Sequence, residues 1–250
     1  MFQALLNAFS TLTILPVPVQ PPEDKTLRQS VLFYPLVGGF IGGLLALVTL
    51  SSLSHPLKVL LILLLWVVIT GALHLDGLGD CLDGFLSGPT PEDRRRIMKD
   101  PSLGVFGVCG LVLDLLFKYV LLDQLLYHSN AWKWLIAIPL CARWALILSC
   151  ALASAPPESQ GLGAKVLGFP PVLLLVGSFY SVIGVAFLLH WRTPAAFALG
   201  GLVSLFFIWV SKKRIGGLTG DGLGITVEVT EVGLLFLACF LLSSKGIFPF

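Results

Sequence analysis

The chain has 250 residues, of which 56% are hydrophobic and only 12% charged, with a mean hydropathy of +0.92. Soluble proteins carry roughly a quarter charged residues, so this composition excludes an ordinary water-soluble domain and points to a bilayer. A net charge of +2 is too small for a nucleic-acid partner.

The first residues lack a positive n-region and run into Pro16 and Pro18 rather than a small-residue cleavage site, so they read as a retained segment, not a signal peptide. Phe2, Leu5, Leu6, Phe9 and Leu12 recur at helical spacing with Gln3, Asn7 and Ser10 between them. That pattern predicts an N-terminal amphipathic helix at the interface or packed on a bundle. Beyond it, apolar stretches predict spans at 31–53, 57–75, 103–126, 131–153, 171–191, 194–210 and 223–243. The expected fold is therefore all-α, one polytopic transmembrane helix bundle of about seven spans.

Gly38, Gly39, Gly42 and Gly43 give the first of these spans a small-residue face suited to close helix contact. The five cysteines are odd in number and without metal-type spacing, and read as small core hydrophobes. Of the basic residues, Lys25, Arg28, Arg94, Arg95, Arg96, Lys99, Lys165, Lys212, Lys213 and Arg214 fall at one set of span ends. Lys58, Lys133, Arg192 and Lys245 fall at the other. The positive-inside bias places the long connections and the N-terminus in the cytoplasm, with Ser129 and Phe250 outside.

Six of the fourteen acidic residues form two clusters beside those long connections. In the first, Asp76, Asp80 and Asp83 stand at i, i+4 and i+7, one stripe of a helix continuing past the second span. In the second, Glu228 and Glu231 are i, i+3 neighbours, and Asp221 lies among Gly220, Gly222 and Gly224, where helix is not assured. Carboxylates facing lipid cost about 2.5 to 3.5 kcal/mol each, so these must face a polar cavity. A divalent cation of the Mg²⁺ type would relieve their repulsion and bind a substrate diphosphate, and two clusters suggest two ions.

Asp114 and Lys118 are expected to pair at i, i+4. Arg143, mid-span, reads either as an ion-pair partner of Asp114 or Asp123 or as a contact to a diphosphate or corrin side chain. His74 is turned about 160° from the carboxylate stripe, leaving a structural histidine or a general base. The Asp-Gly-Leu-Gly tetrapeptide occurs at 76–79 and 221–224 without any further repeat, which reads as coincidence or shared metal geometry.

These strings carry a family resemblance. Residues 15–18 (LPVP), 33–39 (FYPLVGG), 74–84 (HLDGLGDCLDG), 96–100 (RIMKD) with Leu103, Gly104 and Gly107, and 217–224 (GLTGDGLG) with Glu228 and Glu231 occur in order along nearly the whole chain. In this the sequence resembles the cobalamin-5′-phosphate synthase family, the adenosylcobinamide-GDP ribazoletransferases. Ile14 and Ser102 stand where that family often has Arg.

The resemblance implies a multi-pass enzyme of the cytoplasmic (inner) membrane that requires Mg²⁺. Its substrates would be adenosylcobinamide-GDP and α-ribazole or α-ribazole 5′-phosphate, with GMP leaving. Asp76, Asp80 and Asp83 would hold one metal, and Asp221, Glu228 and Glu231 a second metal or the nucleophile. Lys99, Asp100, Arg143, His74 and Thr219 become candidate substrate contacts. A homo-oligomer, and assembly of other corrinoid enzymes on the cytoplasmic loops, are compatible with this reading.

Two rivals share parts of the pattern. A CDP-alcohol phosphotransferase needs Ala-Arg where Asp80 and Cys81 stand. A cation transporter would place its acids near the midplane, not towards the cytoplasmic side.

Overall fold

The computed structural model describes residues 1–18, 23–157, 159 and 161–243. Twelve helices follow in order: α1 Phe2–Leu12, α2 Asp24–Ser30, α3 Tyr34–Val48, α4 His55–Ile69, α5 Leu73–Ser87, α6 Pro91–Ile97, α7 Val105–Leu125, α8 Ala131–Leu152, α9 Leu162–Val166, α10 Pro171–Leu189, α11 Thr193–Ile215 and α12 Gly220–Ser243. No strand occurs among the described residues. Hydrocarbon offers no partner for a free peptide group, so apolar runs of this length satisfy their backbone internally as helix. Prolines in the first turns of α3, α4, α10 and α11 start helices where the missing N–H costs nothing.

The segments Asp24–Val48, Val105–Leu125, Ala131–Leu152, Pro171–Ile215 and Gly220–Ser243 are each long and apolar enough to cross a bilayer. They make five, or six when α4 and α5 count together as one broken span. The expected seven counts 171–191 and 194–210 separately. These lie in one 45-residue helical segment with a tight turn at His190–Arg192, where His190 has φ 52°.

Contacts with α8 show that this segment folds back. Gly177 faces Ile147 and Gly184 faces Leu140, so α10 runs antiparallel to α8. Gly200 faces Trp144 and Gly201 faces Leu148, so α11 runs parallel to it. Against α8 as well, a Cβ on Gly42 of α3 would lie 2.6 Å from the Cα of Ile136. The small-residue face of α3 is thus the close packing surface expected of it. Four of the five cysteines are buried and all are free.

A correction concerns the second span. The apolar run 57–75 is not one helix: α4 stops at Ile69, Gly71 and Ala72 take φ of 60° and 56°, and α5 leaves at 81°. A β-carbon makes the left-handed region costly for Ala72, so the surrounding packing holds this bend.

The long connections gather at one end. Arg95 donates to the carbonyl of Ile215 at 2.8 Å, Leu218 N–H to Ser154 O at 2.9 Å, and Lys165 pairs with Asp24 at 3.2 Å. The short connections share the opposite end, where Asn130 and Lys133 meet Trp191 and Arg192. Lys245 and Phe250 lie outside the described residues.

Candidate active site

The two Asp-Gly-Leu-Gly strings meet each other. A Cβ on Gly77 would lie 2.9 Å from the Cα of Asp221, and one on Gly224 3.1 Å from the Cα of Gly77. They are the crossing point of α5 and α12, where only glycine permits the approach. Close packing thus gives the repeated string a structural reason, where the sequence left coincidence or shared metal geometry.

The crossing sets Asp221 beside the α5 stripe. The charged groups acting on Asp80 are Asp221 first, then Asp76 and Asp83. Asp76 is exposed and Asp80 half-buried, and neither has an ion-pair or hydrogen-bond partner for its side chain among the described residues. Asp221 sits in the first turn of α12, where the helix dipole favours negative charge. The glycines around it do not prevent helix. Thr219, expected to touch substrate, accepts the Gly222 N–H at 3.1 Å and caps that helix, its hydroxyl 3.4 Å from Asp221.

Asp83 is buried and differently employed. Its two oxygens accept the N–H groups of Gly104, at 2.7 Å, and Gly107, at 2.9 Å. These are orphan donors at the start of α7, so Asp83 ties α5 to α7.

The second expected triad is divided. Glu228 and Glu231 lie two to three turns beyond Asp221, roughly 10 and 15 Å along the axis, and they are buried. Lys118 pairs with Glu228, with Glu231 at 2.9 Å and with Asp114 at 3.5 Å. Arg143 pairs with Glu231, not with Asp114 or Asp123. Asp123 meets His55 at 3.0 Å instead. Trp66, which the spacing does not single out, donates its indole N–H to Glu231 at 3.2 Å. A polar indole nitrogen within an apolar run is the signal that could have found it.

A cavity of about 550 Å³ opens beside the crossing. Asp76, Asp221, Thr219, His74 and Lys99 line it, together with apolar side chains from α1, α3, α8 and α9. Lys99 is exposed on the loop after α6. Its neighbour Asp100 accepts the Ser102 N–H at 2.8 Å, which holds its carboxyl below the usual carboxylate range. Arg94 and Arg95 donate to the last carbonyls of α11, and Arg96 pairs with Asp93. Arg94 and Arg95 thus fasten α6 to α11, and none of the three arginines lines the cavity.

Among the described residues no group of three or more His, Cys, Asp or Glu is arranged closely enough to hold a metal ion as placed. The donor chemistry nonetheless separates the two clusters. Asp76, Asp80 and Asp221 are hard oxygen donors without a cationic partner among the described residues and fit Mg²⁺. Glu228 and Glu231 are already neutralised by Lys118 and Arg143 and do not.

An apolar helix bundle with a carboxylate-lined cavity at the end where its long connections gather defines a multi-pass membrane enzyme. The chain matches the cobalamin-5-phosphate synthase family over residues 4–239 and belongs to it. It is similar to the adenosylcobinamide-GDP ribazoletransferase of Chlorobaculum tepidum, 36% identical over 99% of this chain and 98% of the relative. The enzymes of that name from Chlorobaculum parvum and Acinetobacter baumannii are also 36% identical, over 99% and 92% of this chain and 98% and 94% of theirs. No solved structure matches the chain.

Proposed function

We propose that this chain joins adenosylcobinamide-GDP to α-ribazole or its 5′-phosphate, a late step of cobalamin biosynthesis. The ribose 3′-hydroxyl attacks the phosphorus attached to the aminopropanol arm, a new P–O bond forms, the bond to GMP breaks, and one proton is released. The supporting observation is the α5–α12 crossing, which sets Asp221 beside the α5 stripe that carries Asp76 and Asp80, with Asp76 and Asp221 lining a cavity that Lys99 also lines. Neither rival accounts for the family membership.

Asp76, Asp80 and Asp221 would hold Mg²⁺. Bound there, the ion would neutralise the substrate diphosphate and the charge that develops on its oxygens. Lys99 adds a positive charge to the cavity lining, and the N-terminus of α12 favours the same anion. Asp83 acts at one remove, by fixing α5 against α7. The buried Lys118, Arg143, Glu228 and Glu231 group locks α7, α8 and α12 beneath the cavity.

The family resemblance implies the cytoplasmic membrane, and the cavity lies on its cytoplasmic side because the basic ends share the end where it opens. The test is direct: purified protein with adenosylcobinamide-GDP, α-ribazole and Mg²⁺ yields a cobalamin product and GMP. Folded protein that gives no product under these conditions sinks the reading.

A further inference from the structure

His74 is only 4% exposed, its Nε2 has no hydrogen-bond partner among the described residues, and the residue lines the cavity. A buried polar atom without a partner is destabilising, and a polar ligand atom would remove that cost. The same cavity has an apolar wall of Leu12, Tyr34, Leu146 and Val166, all buried, from four different helices. A planar aromatic group suits that wall.

Size decides which groups can enter. The volume of about 550 Å³ lies within the roughly 300–1,000 Å³ of pockets that enclose one small ligand. A nucleoside fits such a space and the corrin does not, and of the two nucleosides the apolar wall suits the acceptor's base rather than guanine, whose edge carries several hydrogen-bonding groups.

We propose that this cavity is the subsite of the acceptor nucleoside. The aromatic base lies against the apolar wall, His74 Nε2 hydrogen-bonds a polar atom of the nucleoside, and the ribose points to Asp76 and Asp221 at the mouth. The corrin stays outside and presents only its diphosphate arm. This rests on the ribazoletransferase reading and adds to it where each substrate sits.

Equilibrium dialysis of labelled α-ribazole, and separately of adenosylcobinamide-GDP, against purified detergent-solubilised protein tests the assignment. His74→Ala should weaken α-ribazole binding about tenfold, the loss of one buried hydrogen bond. Ala164→Trp, on the α9 side of the cavity, should abolish it by filling the space. Both variants should bind the corrinoid donor as the wild type does. Wild-type α-ribazole binding in folded Ala164→Trp overturns the proposal, and so does equal loss of both substrates. If His74→Ala does not fold, Ala164→Trp decides alone. A wild-type enzyme that turns over while Ala164→Trp binds α-ribazole normally loses only the subsite. A wild type that makes no cobalamin product loses the function itself.

Discussion

Gly77 of α5 lies so close to Asp221 of α12 that a β-carbon on the glycine would stand 2.9 Å from both the Cα and the carbonyl oxygen of the aspartate. Backbone fills that space and cannot rotate away. Gly77→Ala should therefore push the helices apart, costing about 1–3 kcal/mol as overpacking does, and separate Asp221 from Asp76 and Asp80. Gly43, where a β-carbon would meet nothing within 4 Å, is the control. Thermal unfolding in detergent and turnover should both fall for Gly77→Ala, turnover by about tenfold or more at 1.4 kcal/mol per tenfold, and hold for Gly43→Ala.

Asp80→Asn keeps the size of the side chain and removes the charge that would attract a cation. Turnover should drop on the order of a hundredfold, with partial recovery at raised Mg²⁺. Asp123, paired with His55 at the opposite end, supplies the comparison, and Asp123→Asn should leave turnover nearly intact. Equal amounts of folded protein are needed, because relieving repulsion within the acidic group could stabilise the fold. Near wild-type turnover and unchanged Mg²⁺ dependence in Asp80→Asn would remove it from the site.

The buried ion group should behave differently. Arg143→Met leaves Glu231 with Lys118, which Glu228 and Asp114 also share. Stripping one partner from a buried ion pair costs about 3–5 kcal/mol, so the variant should lose folded yield and thermal stability. The enzyme that does fold should keep the wild-type Mg²⁺ dependence. A shifted Mg²⁺ dependence with unchanged stability would place Arg143 at the diphosphate instead.

Sidedness can be read by cysteine labelling in a background without the five native cysteines. Lys213→Cys should react with an impermeant thiol reagent only from the cytoplasmic face, and Ser129→Cys only from the opposite one. Labelling of position 213 from outside would invert the orientation.

Sequence alone determined what depends on local periodicity and on the solvent. Hydrocarbon demands internally bonded backbone, so the apolar runs had to be helices. A period of 3.6 residues set Asp76, Asp80 and Asp83 on one stripe, Glu228 beside Glu231, and Lys118 beside Asp114. What each face meets depends on how the helices pack, which local periodicity does not fix. The bend at Gly71 and Ala72 is invisible to hydropathy because it resides in two backbone angles. It turns α5 across α12 and hands Asp221 to the first acidic group. Asp83 became a cap for α7 because the amides of Gly104 and Gly107 arrive beside it from across the fold. Glu231 found Arg143 from 88 residues away, since a buried charge takes whichever counter-charge packing brings within reach.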